Sequence, residues 1–176
     1  MDYSDQAMEK TVYLSLGSNL GDRARNLQAA IERLRSIGEV AALSGFYETE
    51  PVGDFHQPWF LNCAVMLRTE KMPRQLLAAV MAIEQALGRK RTVAKGPRII
   101  DIDILLFGAF VVDLPSLMIP HPAMHERRFV LQPLAEIAPA VRHPVFHRTI
   151  RELLEDLPLG PPQVRKLDDK TTEDSA

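Results

Sequence analysis

Apolar positions recur along the chain with two periods, and their succession lays out a short series of elements. Thr11 to Leu16 reads as a strand, ended by the turn-forming Gly17-Ser18-Asn19-Leu20-Gly21. Asp22 is placed to cap a helix whose apolar face carries Leu27, Ala30, Ile31 and Leu34, closed by Gly38. Val40 to Glu48 predicts a second strand, and proline and glycine then punctuate a loop from Thr49 to Pro58. Phe60 to Arg68 is apolar on both faces, as a central strand would be. Pro73 opens a helix with Leu76, Leu77, Val80, Ile83 and Leu87 on one side, ending at Gly88. Ile99 to Phe107 predicts another strand, with Phe110-Val111-Val112 as a short partner past the Gly108 turn. Two short helices are expected near Arg127 to Ala135 and near Thr149 to Leu154.

The order β-α-β-β-α-β is the split βαβ, ferredoxin-like pattern. It predicts an α+β fold with a mostly antiparallel sheet, helices packed on it and extra C-terminal helices. The 176 residues show no internal repeat or linker, so a single domain is expected over 11–157. Residues 1–10 are expected to be a flexible extension, and 158–176, without apolar period, a mobile tail. A hydrophobic share of 46% with 25% charged residues excludes a disordered, fibrous or collagen-like chain. With 21 Lys+Arg against 23 Asp+Glu, the surface as a whole is not built to coat nucleic acid or an anionic membrane. No apolar run reaches the ~20 residues of a membrane span, and the polar start lacks a leader's apolar core, so a cytoplasmic monomer is the expectation. The one cysteine, Cys63, cannot form an internal disulfide and sits in an apolar run, where a thiol behaves as a small hydrophobe.

Chemistry concentrates in Arg98-Ile99-Ile100-Asp101-Ile102-Asp103-Ile104. On a strand, Asp101 and Asp103 share a face, with roots about 7 Å apart, while Ile100, Ile102 and Ile104 anchor the other face. Paired carboxylates repel unless a cation or proton intervenes, and such oxygens suit Mg²⁺ completed by water and substrate phosphates. A solvated strand face or salt bridges to nearby arginines would satisfy the same residues. Just upstream, Arg89, Lys90, Arg91, Lys95 and Arg98 supply five cations, with Gly96-Pro97 able to bend Arg98 back toward the pair. Acids that hold metal beside guanidinium groups are what a polyphosphate site requires. The Gly17–Asp22 turn is neither a Walker A loop nor Gly-x-Gly-x-x-Gly, so any phosphoryl transfer uses another scaffold. The pairs His121/His125 and His143/His147 lack the Glu or cysteines of a zinc site, which leaves His121 as a candidate phosphate donor.

Several stretches in order resemble the 6-hydroxymethyl-7,8-dihydropterin pyrophosphokinase family of folate biosynthesis, over about Thr11 to Leu157. They are Leu16–Gly21, Phe46-Tyr47-Glu48-Thr49, Gln57-Pro58-Trp59-Phe60-Leu61-Asn62, Gly96-Pro97-Arg98 through Asp103, Ile119-Pro120-His121 and Arg127–Leu134. The resemblance implies transfer of the β,γ-pyrophosphoryl group of ATP to the pterin hydroxymethyl oxygen, releasing AMP. It implies two Mg²⁺ ions on Asp101 and Asp103, with Arg89 and Arg98 catalytic on the triphosphate. Glu84, Arg91, Ile104, His121 and Arg127 would complete the ATP site. The pterin would stack between Phe60 and Phe129, its edge read by Asn62 with Thr49, Pro51, Val52 and Gly53. This chain departs from the family pattern with Lys95 where many members carry an aromatic, Ala94 where a charge is usual, and Phe60 where Tyr is common. Ser116 and Pro122 also depart from it. The alternatives are a two-metal phosphohydrolase or nucleotidyl transferase using the same acidic pair, or a nucleotide-sensing ferredoxin-like binding module, which would leave that pair without a purpose.

Overall fold

The structure, a computed structural model, describes residues 8–53, 56–90 and 96–168. Strand β1 (Lys10–Ser18) lies inside the sheet, antiparallel to β4 (Phe60–Thr69) on one side and β5 (Asp101–Phe107) on the other. Outside β4 run β2 (Glu39–Leu43), β3 (Tyr47–Thr49) and then β8 (Val164–Lys166), giving the order β5-β1-β4-β3-β8 with β2 also on β4. With β2 and β3 taken as halves of one interrupted strand, this is the expected ferredoxin-like sheet, antiparallel at every pairing.

Helices α1 (Arg23–Leu34) and α2 (Pro73–Ala86) cover one face; α3 (Arg128–Ile137) and α4 (Ile150–Glu155) cover part of the other. The Asp22 side chain caps α1 by accepting from the Arg25 N–H, and Leu27, Ala30, Ile31 and Leu34 are buried as the period required. Thr149 and Glu152 form a reciprocal capping box on α4. The first face packs Val12, Leu14 and Leu16 against the aliphatic stripes of α1 and α2, and burial of each such side chain stabilises by about 1.5–3 kcal/mol. Cys63 belongs to this core, and burial pushes its thiol up to about 12, so it is a hydrophobe there. No helix among the described residues is long and apolar enough to cross a membrane.

Three local expectations are corrected. The strand foreseen over Val40 to Glu48 breaks at Ser44-Gly45-Phe46, where the Ser44 hydroxyl accepts the Ala64 N–H. A Cβ on Gly45 at that break would come within 2.7 Å of Lys166 Cε, so the lysine tail would have to shift. Phe110–Val112 does not pair with β5. Val112–Leu114 (β6) instead pairs with Leu117–Ile119 (β7) in a separate hairpin, while Phe110 tilts onto Phe107 at 5.6 Å. Finally, the stretch expected as a mobile tail contributes β8, held by main-chain pairing and charge rather than by apolar period. Lys166 pairs with Glu136 of α3 at 3.0 Å, and Glu136 also accepts from the Tyr47 hydroxyl and the Gly45 N–H. That carboxylate is held below the usual range by those bonds against the opposing effect of burial.

Glu136→Ala leaves the buried Tyr47 hydroxyl without its acceptor and should destabilise the fold by about 1–3 kcal/mol. Urea unfolding measures it, and an unchanged midpoint would remove Glu136 as a tie between α3 and the β3–β8 edge.

Candidate active site

On the face packed by α3, alternation along β1 and its partners sets up two territories. Tyr13, Ala64 and Leu106 are apolar and lie with α3 and α4. Toward the other end of the same face, register aligns Asp103 with Ser15, and Asp101 with Gly17, which in turn faces Asn62. Phe60 pairs with Thr49 beyond them. Helix α3 covers the apolar territory, and the polar one floors a cavity of about 730 Å³.

Asp101 and Asp103 both line that cavity, and the strand's intervening Ile102 is buried on the opposite side. Each oxygen of Asp101 is taken by an arginine at 2.9 Å, Oδ1 by Arg89 and Oδ2 by Arg98. Arg89 is gripped from behind by the buried Glu84 of α2. Asp103 fares differently: burial, then the charge of Asp101, push its carboxyl up to about 6, against the pull of Arg127, Arg98 and Arg89. His121 also lines the cavity, and its Nδ1 accepts the Ala123 N–H at 3.1 Å. Burial, aided by Arg127, holds this imidazole below its ordinary pKa, so as a neutral ring it carries its proton on Nε2 as a donor.

The opposite end is aromatic. Phe60 and Phe129 line the same cavity, with the Arg127 guanidinium 5.7 Å from the Phe129 ring centre. Asn62 Nδ2 donates to Thr49 Oγ1 at 2.8 Å, both side chains being buried, which turns the Asn62 carbonyl and the Thr49 hydroxyl proton toward other partners. Gly17 makes room for this pair: a Cβ on it would stand 2.8 Å from Asn62 Oδ1.

Of the residues expected at the site, the cavity gathers Thr49, Pro51, Val52, Phe60, Asn62, Arg89, Arg98, Asp101, Asp103, His121, Arg127 and Phe129. Gly53 lies just past the lining, in a turn at φ +85°. Glu84 faces a smaller hollow with Met81, Gln85 and Arg89, so it reaches the main cavity through Arg89. Ile104 is buried in the opposite core with α1 and α2. Arg91, Ala94 and Lys95 fall outside the described residues. His143 is structural: its Nδ1 accepts from Val145 and Phe146 N–H groups and its ring stacks on Phe146.

The family model for 7,8-dihydro-6-hydroxymethylpterin-pyrophosphokinase (HPPK) matches residues 13–139. The chain belongs to this family. A 2-amino-4-hydroxy-6-hydroxymethyldihydropteridine pyrophosphokinase of Methylorubrum extorquens is 47% identical over 147 residues, 82% of this chain and 92% of that protein. The Folic acid synthesis protein fol1 of Schizosaccharomyces pombe is 42% identical over 88% of this chain, which spans only 21% of that longer protein. Among solved structures, a Plasmodium falciparum HPPK-DHPS variant with STZ-DHP shares the fold, with TM-score 0.71 and 17% identity over 86% of this chain and 46% of that one.

Within this HPPK family member, the contacts of Asn19 were not foreseen, its turn being read as a helix entry and as one stretch of the family pattern. Asn19 is 1% exposed, and its Oδ1 accepts the Arg98 N–H at 2.8 Å while its own N–H donates to the Arg98 carbonyl. Its Nδ2 reaches Gln57 Oε1 and the Pro58 carbonyl, so one amide ties the first turn to both cavity ends. Ser15, Glu126, Arg128 and Leu157–Pro158 also line the cavity unforeseen. The alternation that exposed the acidic pair on one strand would have flagged Ser15 on its neighbour, once the two were known to pair. Asn19→Ala strips partners from the Arg98 main chain and from Gln57, and should lower stability by about 1–3 kcal/mol. Amide hydrogen exchange reads where: faster exchange at Arg98 is expected, and unchanged exchange there would dissolve the tie.

Proposed function

We propose that this chain transfers the β,γ-pyrophosphoryl group of ATP to the hydroxymethyl oxygen of 6-hydroxymethyl-7,8-dihydropterin, giving AMP and the pterin diphosphate. The observation that carries the reading is one cavity with an acid–arginine end and an aromatic–amide end. The first suits a triphosphate, the second a flat heterocycle with a polar edge. The pyrophosphokinase named in Methylorubrum extorquens supports the same chemistry for nearly the full length of that relative.

The acidic pair fits divalent cations, because among the described residues Asp103 has no direct basic partner of the kind Asp101 has in Arg89 and Arg98. Among the described residues no three metal-binding side chains gather, so remaining ligands would come from water and phosphate oxygens, as Mg²⁺ prefers. Asp101 and Asp103 would hold two Mg²⁺ ions, which when bound neutralise the triphosphate and polarise it for attack. On ATP binding, Arg89 and Arg98 exchange Asp101 for phosphate oxygens; both are already within one side chain's reach of the acids. His121 donates from Nε2 and Arg127 adds charge near the same end. Phe60 and Phe129 stack on the pterin, while Asn62 and Thr49 meet its donor and acceptor edge. The hydroxymethyl oxygen attacks the β-phosphorus, the bond to the α-phosphate oxygen breaks, and no covalent enzyme intermediate is required. Catalysis is then positioning and electrostatics. The proposed setting is a cytoplasmic monomer acting on small molecules; the even charge balance favours neither nucleic acid nor an anionic membrane as partner.

The direct test is nucleotide analysis of protein, ATP, Mg²⁺ and the pterin, with each omitted in turn. AMP that appears only in the complete mixture supports the transfer, and ADP formed without pterin would replace it with a hydrolase. Asp103→Ala should lower kcat roughly 10³-fold with the circular-dichroism spectrum retained, and retained activity would remove the acidic pair from the chemistry. Because Asp103 is pushed up to about 6, it becomes neutral and a poorer ligand as pH falls through that value. Mn²⁺ binding, followed by electron paramagnetic resonance, should therefore weaken as pH drops from about 8 to 5, and a flat profile would contradict the assignment.

A further inference from the structure

The two walls of the aromatic end come from separate parts of the chain, α3 with Phe129 and the loop that follows Thr49. The segment from Leu157 to Gln163 runs between them and is fastened at both ends. At one end, Arg128 Nη2 donates to the carbonyls of Leu157 and Pro158 at 3.2 and 3.3 Å, one residue from Phe129. At the other, the Glu50 N–H donates to the Gln163 carbonyl at 3.0 Å, and the Gln163 N–H donates to Glu50 Oε2 at 3.1 Å. Between these anchors Pro158, Gly160, Pro161 and Pro162 line the cavity itself. Beyond them, Arg165 pairs with Glu48 and lies 5.7 Å from the Trp59 ring centre, so β8 grips the immediate neighbours of Thr49 and Phe60. The segment itself, residues 157–166, lies past 139, where the family match stops, while its partners lie within the matched region.

We propose that the segment Leu157–Lys166 is a determinant of affinity for the flat ring substrate. It fixes the separation of the Phe129 wall from the Thr49–Val52 loop and adds its own apolar surface to the pocket. The proposal rests on the pterin reading of that end of the cavity.

Stacking on two faces demands a set gap between the walls, and a gap fixed before binding leaves less to be ordered when the ring arrives. Three prolines between 158 and 162 narrow the backbone freedom of the segment. Its fastenings fall at the ring end, whereas Asp101, Arg89 and Arg98 are tied to one another. Loosening the segment should therefore be felt by the pterin and scarcely by ATP. Arg165 can be removed without stranding a charge, since Glu48 keeps Arg23 at 2.7 Å.

The experiment compares the full chain, a chain stopped after Leu157, and Arg165→Ala, titrating each calorimetrically with 6-hydroxymethyl-7,8-dihydropterin and separately with Mg-ATP. Expected are about tenfold weaker pterin binding on truncation and about threefold on Arg165→Ala, with ATP affinity held within about twofold. Arg165→Lys, which keeps the charge opposite Glu48, should recover part of the loss. Equal pterin affinity in all chains overturns the proposal and leaves the functional reading standing. Equal loss of pterin and ATP affinity also overturns it, making the segment general scaffolding. An intact chain that binds no pterin overturns both. Should the truncated chain fail to fold, the Arg165 pair of variants decides by the same criteria.

Discussion

Two carboxylates set two residues apart on a half-buried strand repel each other, and the cavity is arranged around that repulsion. Asp101 is answered by Arg89 and Arg98, one on each oxygen. Those arginines need anchoring in turn, and they get it from different directions: Glu84 reaches Arg89 from α2, and the buried amide of Asn19 holds the Arg98 main chain. The acidic pair thus recruits a helix and the first turn of the chain into one electrostatic unit. Asp103, left with more distant arginines, stays easy to protonate until a cation is supplied. In this site Asp101, Glu84, Arg89 and Arg98 neutralise one another.

The sheet confines these charges to one part of one face. One face is apolar throughout and buried under α1 and α2; the other changes character halfway along β1, from Tyr13 to Ser15 and Gly17. Helix α3 stops where the apolar half stops, with Arg128 and Phe129 at its start facing the polar half. The end of the helix, the absent Cβ of Gly17 and the amide of Asn62 together leave space over a rigid floor, so the cavity owes its shape to where side chains are small.

Much of this was legible in the chain. Period-two alternation put Asp101 and Asp103 on one face, and period-3.6 stripes located α1 and α2, because both follow from geometry within a single element. What escaped depended on partners distant in sequence. At the break over Ser44–Phe46, Gly45 meets Glu136 and Lys166, the latter more than a hundred residues on. Strand β8 has no apolar signature, since Arg165 and Lys166 are bound through Glu48 and Glu136. Spacing and charge brought Asp101, Asp103, Arg89, Arg98 and His121 to the cavity and resemblance added the rest, yet resemblance also carried over Ile104, whose side chain the same alternation had already assigned to the core. The role of Asn19 was invisible because a turn asparagine reads alike whether it serves its own loop or a strand elsewhere.

The three residues of β8 also change what the molecule shows to other molecules. Without them, the main-chain groups of Tyr47–Thr49 that face away from β4 would be an open sheet margin, a template for strands of other chains. In their place the outermost strand is short and carries Arg165 and Lys166, the charged kind of residue that blunts a sheet edge. The main-chain pairing that fastens β8 thereby also covers a margin of the sheet that would otherwise offer open donors and acceptors.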